Sequence, residues 1–168
     1  MDPENRPLLR LTAAEHDAVA RKWLASVFAS CPGETARFLD RTRDPFRNPV
    51  GEIYRRGLPV LVEQVAGGFD LERIEAVLDE ILHLRAVQDL PPGEAVGFVF
   101  QLNHALREVV EVESPALEAA RDRVERMAAL AFDLYMRCRE KLWAIRYQEL
   151  KRRFFVAERM AARSHGCR

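Results

Sequence analysis

Cysteine is scarce in this sequence. Cys31, Cys138 and Cys167 form an odd set with no CxxC spacing, which indicates neither a disulfide framework nor a zinc site. Long apolar runs are missing too: none approaches the ~20 residues that span a bilayer. Met1 to Arg10 is polar and proline-containing, unlike a charged segment followed by an apolar one, so a cytoplasmic protein without a membrane span is expected. A net charge of either sign is absent, because 26 Lys and Arg face 26 Asp and Glu. Catalytic signatures are absent as well: there is no HExxH, P-loop, GxGxxG or GxSxG. No catalytic residues are assigned, no metal is expected, and a non-enzymatic protein is the expectation.

What is present is enough for one packed domain. A chain of 168 residues, 48% hydrophobic and 31% charged, buries a core without metals or disulfides. The balanced charge hides an asymmetry. From Arg137 to Arg168 there are ten Lys and Arg against three Asp and Glu, so a tail of +7 follows a body of −7. Cations mixed with aromatics over Glu149 to Val156 occur in nucleic-acid and membrane-surface binders. Confinement of the charge to one helix beside an acidic body favours docking to a partner helix, and no nucleic acid is expected.

The periodicity is helical throughout. Thr12-Ala13-Ala14-Glu15 has capping-box form, and Ala20, Trp23, Leu24, Val27 and Phe28 follow at three- and four-residue spacing, predicting a first helix that ends near Cys31-Pro32-Gly33. Phe38 and Leu39 mark a short helical turn. Asp44-Pro45-Phe46-Arg47-Asn48-Pro49 is a corner, since each proline pushes its predecessor out of the helical region. Asn48 as N-cap and Pro49 at N1 open the next helix. Pro59 should kink that helix, with Gly57 easing the bend, and Gly67-Gly68 should supply a left-handed stop. Two further amphipathic helices follow Asp70 and Pro91-Pro92, and Ser114-Pro115 opens the last. From Ala116 to His165 there is neither Gly nor Pro, and a continuous helix there would reach ~70 Å, wider than a small domain. No stretch alternates with period two, so the fold class is all-α. Residues 1–11 are expected as a flexible N-terminus, 12–143 as the helical domain and 144–168 as a basic helical extension.

The run from Asp44 to Gly51, then Gly57-Leu58, then Leu84-Arg85-Ala86-Val87-Gln88-Asp89-Leu90-Pro91-Pro92-Gly93-Glu94-Ala95 resembles the RsbRD N-terminal domain family. The resemblance covers roughly Ala14 to Lys141. It implies a regulatory module of bacterial stress signalling with a globin-like helical bundle that lacks haem and dimerises. In that family the domain typically precedes a STAS domain and passes a signal into it. Nothing after His165 is long enough for one, so a stand-alone version acting on a separate signalling protein, and forming a homodimer, is expected.

Three sets of candidate residues follow. Arg85, Gln88 and Asp89 have the groups to line a polar ligand entrance, Arg being suited to a carboxylate or amide. The competing role, favoured here, is to tie a helix end to the corner from Asp44 to Asn48, because buried loop backbone needs partners. His83, near the end of its helix, stands about where the proximal ligand of a globin haem would stand, with His104 as a second candidate. This alternative, a haem or small-ligand carrier, is set below the cofactor-free regulatory reading. Ile145, Phe154 and Phe155 are the expected interface, because a ~70 Å helix outruns a body whose radius of gyration is ~15 Å.

Overall fold

The computed structural model describes residues 7–165, with side chains through Phe155. Residues 1–6 of the expected flexible N-terminus, and Cys167, lie outside the described residues. Six helices, α1 (Ala13–Ala29), α2 (Gly33–Arg41), α3 (Pro49–Ala66), α4 (Leu71–Val87), α5 (Pro92–Val109) and α6 (Pro115–His165), account for the regular structure, and there is no strand among the described residues.

Four of the helices, α1, α3, α4 and α6, begin where a side chain accepts from their first backbone donors. Thr12 and Glu15 close the capping box: the Glu15 N–H donates to Thr12 Oγ1 at 3.2 Å and the Thr12 N–H to Glu15 Oε2 at 2.8 Å. The Thr12 N–H, together with the Thr12 hydroxyl that donates to the same oxygen at 2.7 Å, holds the Glu15 carboxyl below its ordinary value. Asp70 caps α4 through the N–H groups of Glu72 and Arg73, and Ser114 Oγ accepts from the Leu117 N–H. Prolines occupy the first positions of α3, α5 and α6, where the missing donor costs nothing.

The helices pack as a bundle in which α6 lies against α4 and α5, α1 against α5 and α3, and α3 against α4. Trp23, Leu58, Leu61, Ile81, Leu102 and Tyr135 are among the fully buried side chains. Trp23 stacks on Phe98, with centroids 6.1 Å apart, and donates its indole N–H to the Phe98 carbonyl at 2.7 Å. This joins α1 to α5 without leaving the one polar atom of the indole unpaired.

The structure corrects two local expectations. Residues 7–11 are docked, not loose: Leu9 is buried, its N–H donates to the Ala66 carbonyl at 2.9 Å, and Arg123 of α6 donates to the Pro7 carbonyl at 3.2 Å. The left-handed residue after α3 is Phe69 (φ 54), whereas Gly67 has φ −104. Phe69 is fixed there because its N–H donates to the Gln64 carbonyl and its ring lies 4.6 Å from the Arg126 guanidinium of α6. The helix α3 continues through Pro59, and Gly57 also allows close approach, since a Cβ there would sit 2.8 Å from Val77 Cγ1 of α4.

Along α6 the environment changes once. Leu117, Ala120, Val124, Met127, Ala131 and Tyr135 are buried against the body, and burial stops after Cys138 and the partly buried Leu142. Every described residue from Trp143 to Phe155 is exposed. At 1.5 Å per residue the whole helix spans about 75 Å, so its C-terminal half projects past the body.

Candidate functional site

The corner is built around Asn48, which is 1% exposed. Its Oδ1 accepts the Gly51 N–H at 2.8 Å, and its Nδ2 donates to the carbonyls of Leu39 at 3.0 Å and Thr42 at 2.9 Å. One amide thus caps α3 and ties it to the end of α2. A Cβ on Gly51 would lie 2.3 Å from Asn48 Nδ2, so only glycine fits beside the cap. Asp44 Oδ1 accepts the Phe46 N–H at 2.9 Å, and the Asp44 carbonyl accepts the Asn48 N–H. Phe46, at the tip, is 97% exposed.

Beside the corner, the turn between α1 and α2 and the helices α2, α3, α4 and α5 line a half-open cavity of about 1020 Å³. Phe38, Leu39, Val50, Leu84, Leu90 and Phe98 supply apolar wall. Arg85 lies in this wall and is 6% exposed. Its Nε donates to the Tyr54 hydroxyl at 2.8 Å and its Nη1 to the Glu94 carbonyl at 3.0 Å. Its guanidinium carbon is 4.6 Å from the Phe98 ring centroid and 5.6 Å from that of Tyr54. The two rings meet edge to face. Burial raises the Tyr54 phenol above its ordinary value even though Arg85 pulls the other way. Among the described residues no carboxylate lies within ion-pairing distance of Arg85, and its Nη2 makes no hydrogen bond. A buried charge is expensive unless paired, and here hydrogen bonds and ring faces replace an anion.

Of the residues singled out from the sequence, Asn48, Arg85 and Gln88 come together on the cavity wall. Asp44 is confined to the corner. Asp89 turns away: it has φ 60 and pairs with Arg139 of α6. The Tyr135 hydroxyl of α6 donates to the Leu90 carbonyl, so the segment after α4 is held by the long helix at two points. His83 and His104 are both exposed and neither lines the cavity, which has no imidazole. The wall therefore does not fit a haem ligated by either residue. No group of three His, Cys, Asp or Glu suited to a metal occurs among the described residues.

Sequence reasoning missed Tyr54, Gly97, Phe98 and Gln101, which complete the wall. A signal for Arg85 itself was present: Ile74, Leu78, Ile81, Leu82 and Arg85 share one helical stripe, so a cation stands where the pattern calls for a core residue. No such signal exists for partners on α3 and α5, whose distance in sequence hides them.

The profile described as RsbT co-antagonist protein rsbRD N-terminal domain matches residues 17–150. No curated protein and no solved structure matches the chain.

Proposed function

The chain belongs to the rsbRD N-terminal domain family of RsbT co-antagonist proteins, and on that premise we propose that it is a non-enzymatic regulatory module of bacterial stress signalling whose output is protein association through α6. The observation that carries this reading is the division of α6 into a half buried in the body and a half exposed to solvent. A change in the body's packing against the first half moves the second as one rod, because a helix is stiff along its axis.

The exposed half is patterned for a partner. Trp143, Tyr147, Leu150 and Phe154 recur at alternating spacings of four and three, placing them within about 60° of one another on one face. Ile145 and Phe155, also exposed, fall on its flanks or behind it. Exposed aromatic stripes of this kind mark association surfaces. Arg146, Lys151 and Arg153 flank the stripe, so pairing with the same helix of a second copy would set cation against cation. The acidic body of a second copy suits it better, which makes the proposed assembly a homodimer with each tail on the other's body. A separate signalling protein with an acidic helix would compete for the same stripe. No helix among the described residues is long and apolar enough to cross a membrane.

Light scattering on the full chain and on a version ending at Trp143 tests this. A dimer that is lost on truncation and weakened by salt is the expected result. If both versions are monomers and both capture the same cellular partners, α6 does not carry the output.

A further inference from the structure

The largest unexplained feature is the cavity with a buried cation in its wall. Arg85 is held in one orientation by Tyr54, the Glu94 carbonyl and Phe98, yet among the described residues nothing anionic meets it. Gln101 lines the same cavity, and its Oε1 is buried with no hydrogen-bond partner. Gln88 lies in the wall one turn beyond Arg85 and is exposed, at the mouth. Gly97 lies in the wall too, and a Cβ there would meet no atom within 4 Å, so the space in front of α5 is open. About 1020 Å³ is at the upper end of the range of small-molecule sites.

From these observations we propose that the cavity binds a small monocarboxylate with an apolar body, its carboxylate paired to Arg85 and its body against Phe38, Leu39, Val50 and Leu84. Among the described residues Arg85 is the only Lys or Arg in the wall, so one negative charge is matched and a phosphate dianion would be left half neutralised. A neutral ligand would add no opposite charge to a guanidinium that only hydrogen bonds and ring faces now offset. Guanidinium and carboxylate are complementary in plane and donor spacing, and the pairing gains strength where water is excluded. Glu94, the only acidic residue in the wall among the described residues, is exposed and contributes its carbonyl to Arg85. Its carboxylate opposes an incoming acid at the rim without occupying the cation.

The same segment links the site to α6 through Asp89 with Arg139 and Leu90 with Tyr135. Calling the carboxylate a signal rests on the regulatory reading above; its binding does not.

Calorimetric titration of the purified full chain with octanoate, octanol and inorganic phosphate tests the site. Octanoate should bind once per chain, at least about tenfold more tightly than octanol, as expected for one charge-assisted hydrogen-bonded pair. Phosphate should bind more weakly than octanoate. Gly97→Leu, which fills open space, should abolish binding while leaving the melt cooperative, Arg85→Gln should remove the preference over octanol, and Glu94→Gln should tighten octanoate. Should Arg85→Gln fail to fold, Gly97→Leu and the octanoate-to-octanol ratio of the unmodified chain decide. Octanoate that does not bind, binds no better than octanol or phosphate, or still binds folded Gly97→Leu overturns the proposal. Such a failure leaves the dimer read by light scattering untouched, so the two readings fall separately.

Discussion

The Nε of Arg85, on α4, donates to the Tyr54 hydroxyl, on α3, across 2.8 Å, and both side chains are buried. The bond spans 31 residues and brings a cation and a phenol into the wall of a cavity that is otherwise mostly apolar. Each group needs the other: the phenol oxygen is one of two oxygens that the guanidinium reaches, and the guanidinium satisfies a hydroxyl that burial has cut off from water.

Deprotonation of Tyr54 should therefore be coupled to unfolding. Its folded value is raised, mainly by burial, so the folded state keeps its phenolic proton where the unfolded chain loses it. The contribution to stability is present in full below the ordinary tyrosine range and is lost as pH rises through it and towards the folded value. Urea melts across alkaline pH should show a decline that is smaller in Tyr54→Phe. An equal decline in both would assign the effect to other groups.

Asn48→Ala should cost more than a cap alone. Loss of the cap is worth ~1 kcal/mol, and the buried carbonyl of Leu39 loses one of its donors, which adds about 1 kcal/mol or more. A total near 2–3 kcal/mol is expected by chemical denaturation. Pro49→Ala, which only frees a preset φ, should cost ~1 kcal/mol or less. Melts unchanged in both variants would refute the structural role of the corner.

Two helical glycines should respond to alanine with opposite signs. Gly97→Ala meets open space and gains helix propensity, so it should stabilise by up to ~1 kcal/mol. Gly57→Ala drives a methyl into Val77 between α3 and α4, and overpacking of this kind costs about 1–3 kcal/mol. Melting temperatures of the two variants, measured side by side, check the packing of these helices.

Thiol labelling should separate two cysteines. Burial raises the Cys138 thiol, and the Asp79 carboxylate beside it, at 3.9 Å, raises it further. Little thiolate is then available to react, whereas Cys31 is partly exposed at the cavity wall. Iodoacetamide at mildly alkaline pH, followed by peptide mass analysis, should modify Cys31 first. Asp79→Asn should speed Cys138 severalfold, and no change would remove the carboxylate as a cause.

Much of this architecture was legible in one dimension because its causes are local. The capping box at Thr12, the cap and N1 proline at Asn48-Pro49 and the unbroken run after Pro115 all act within a few residues, so spacing alone locates the helices. Charge count and length also mark the tail as a segment that a body of this size leaves uncovered. The left-handed residue after α3 was not legible: two glycines were the better local choice, but Phe69 takes the role because α6 supplies Arg126 over its ring. The docking of Leu9 is of the same kind, since it depends on a carbonyl at Ala66 and on Arg123 holding the adjacent Pro7. The cavity is decided wholly by tertiary structure. Arg85 announces itself as a cation in an apolar stripe, but whether it meets a carboxylate, a phenol or empty space depends on which faces of α3 and α5 arrive beside it. Periodicity within a helix says which of its faces is buried; the partners of that face are set by packing between segments whose separation along the chain carries no distance information.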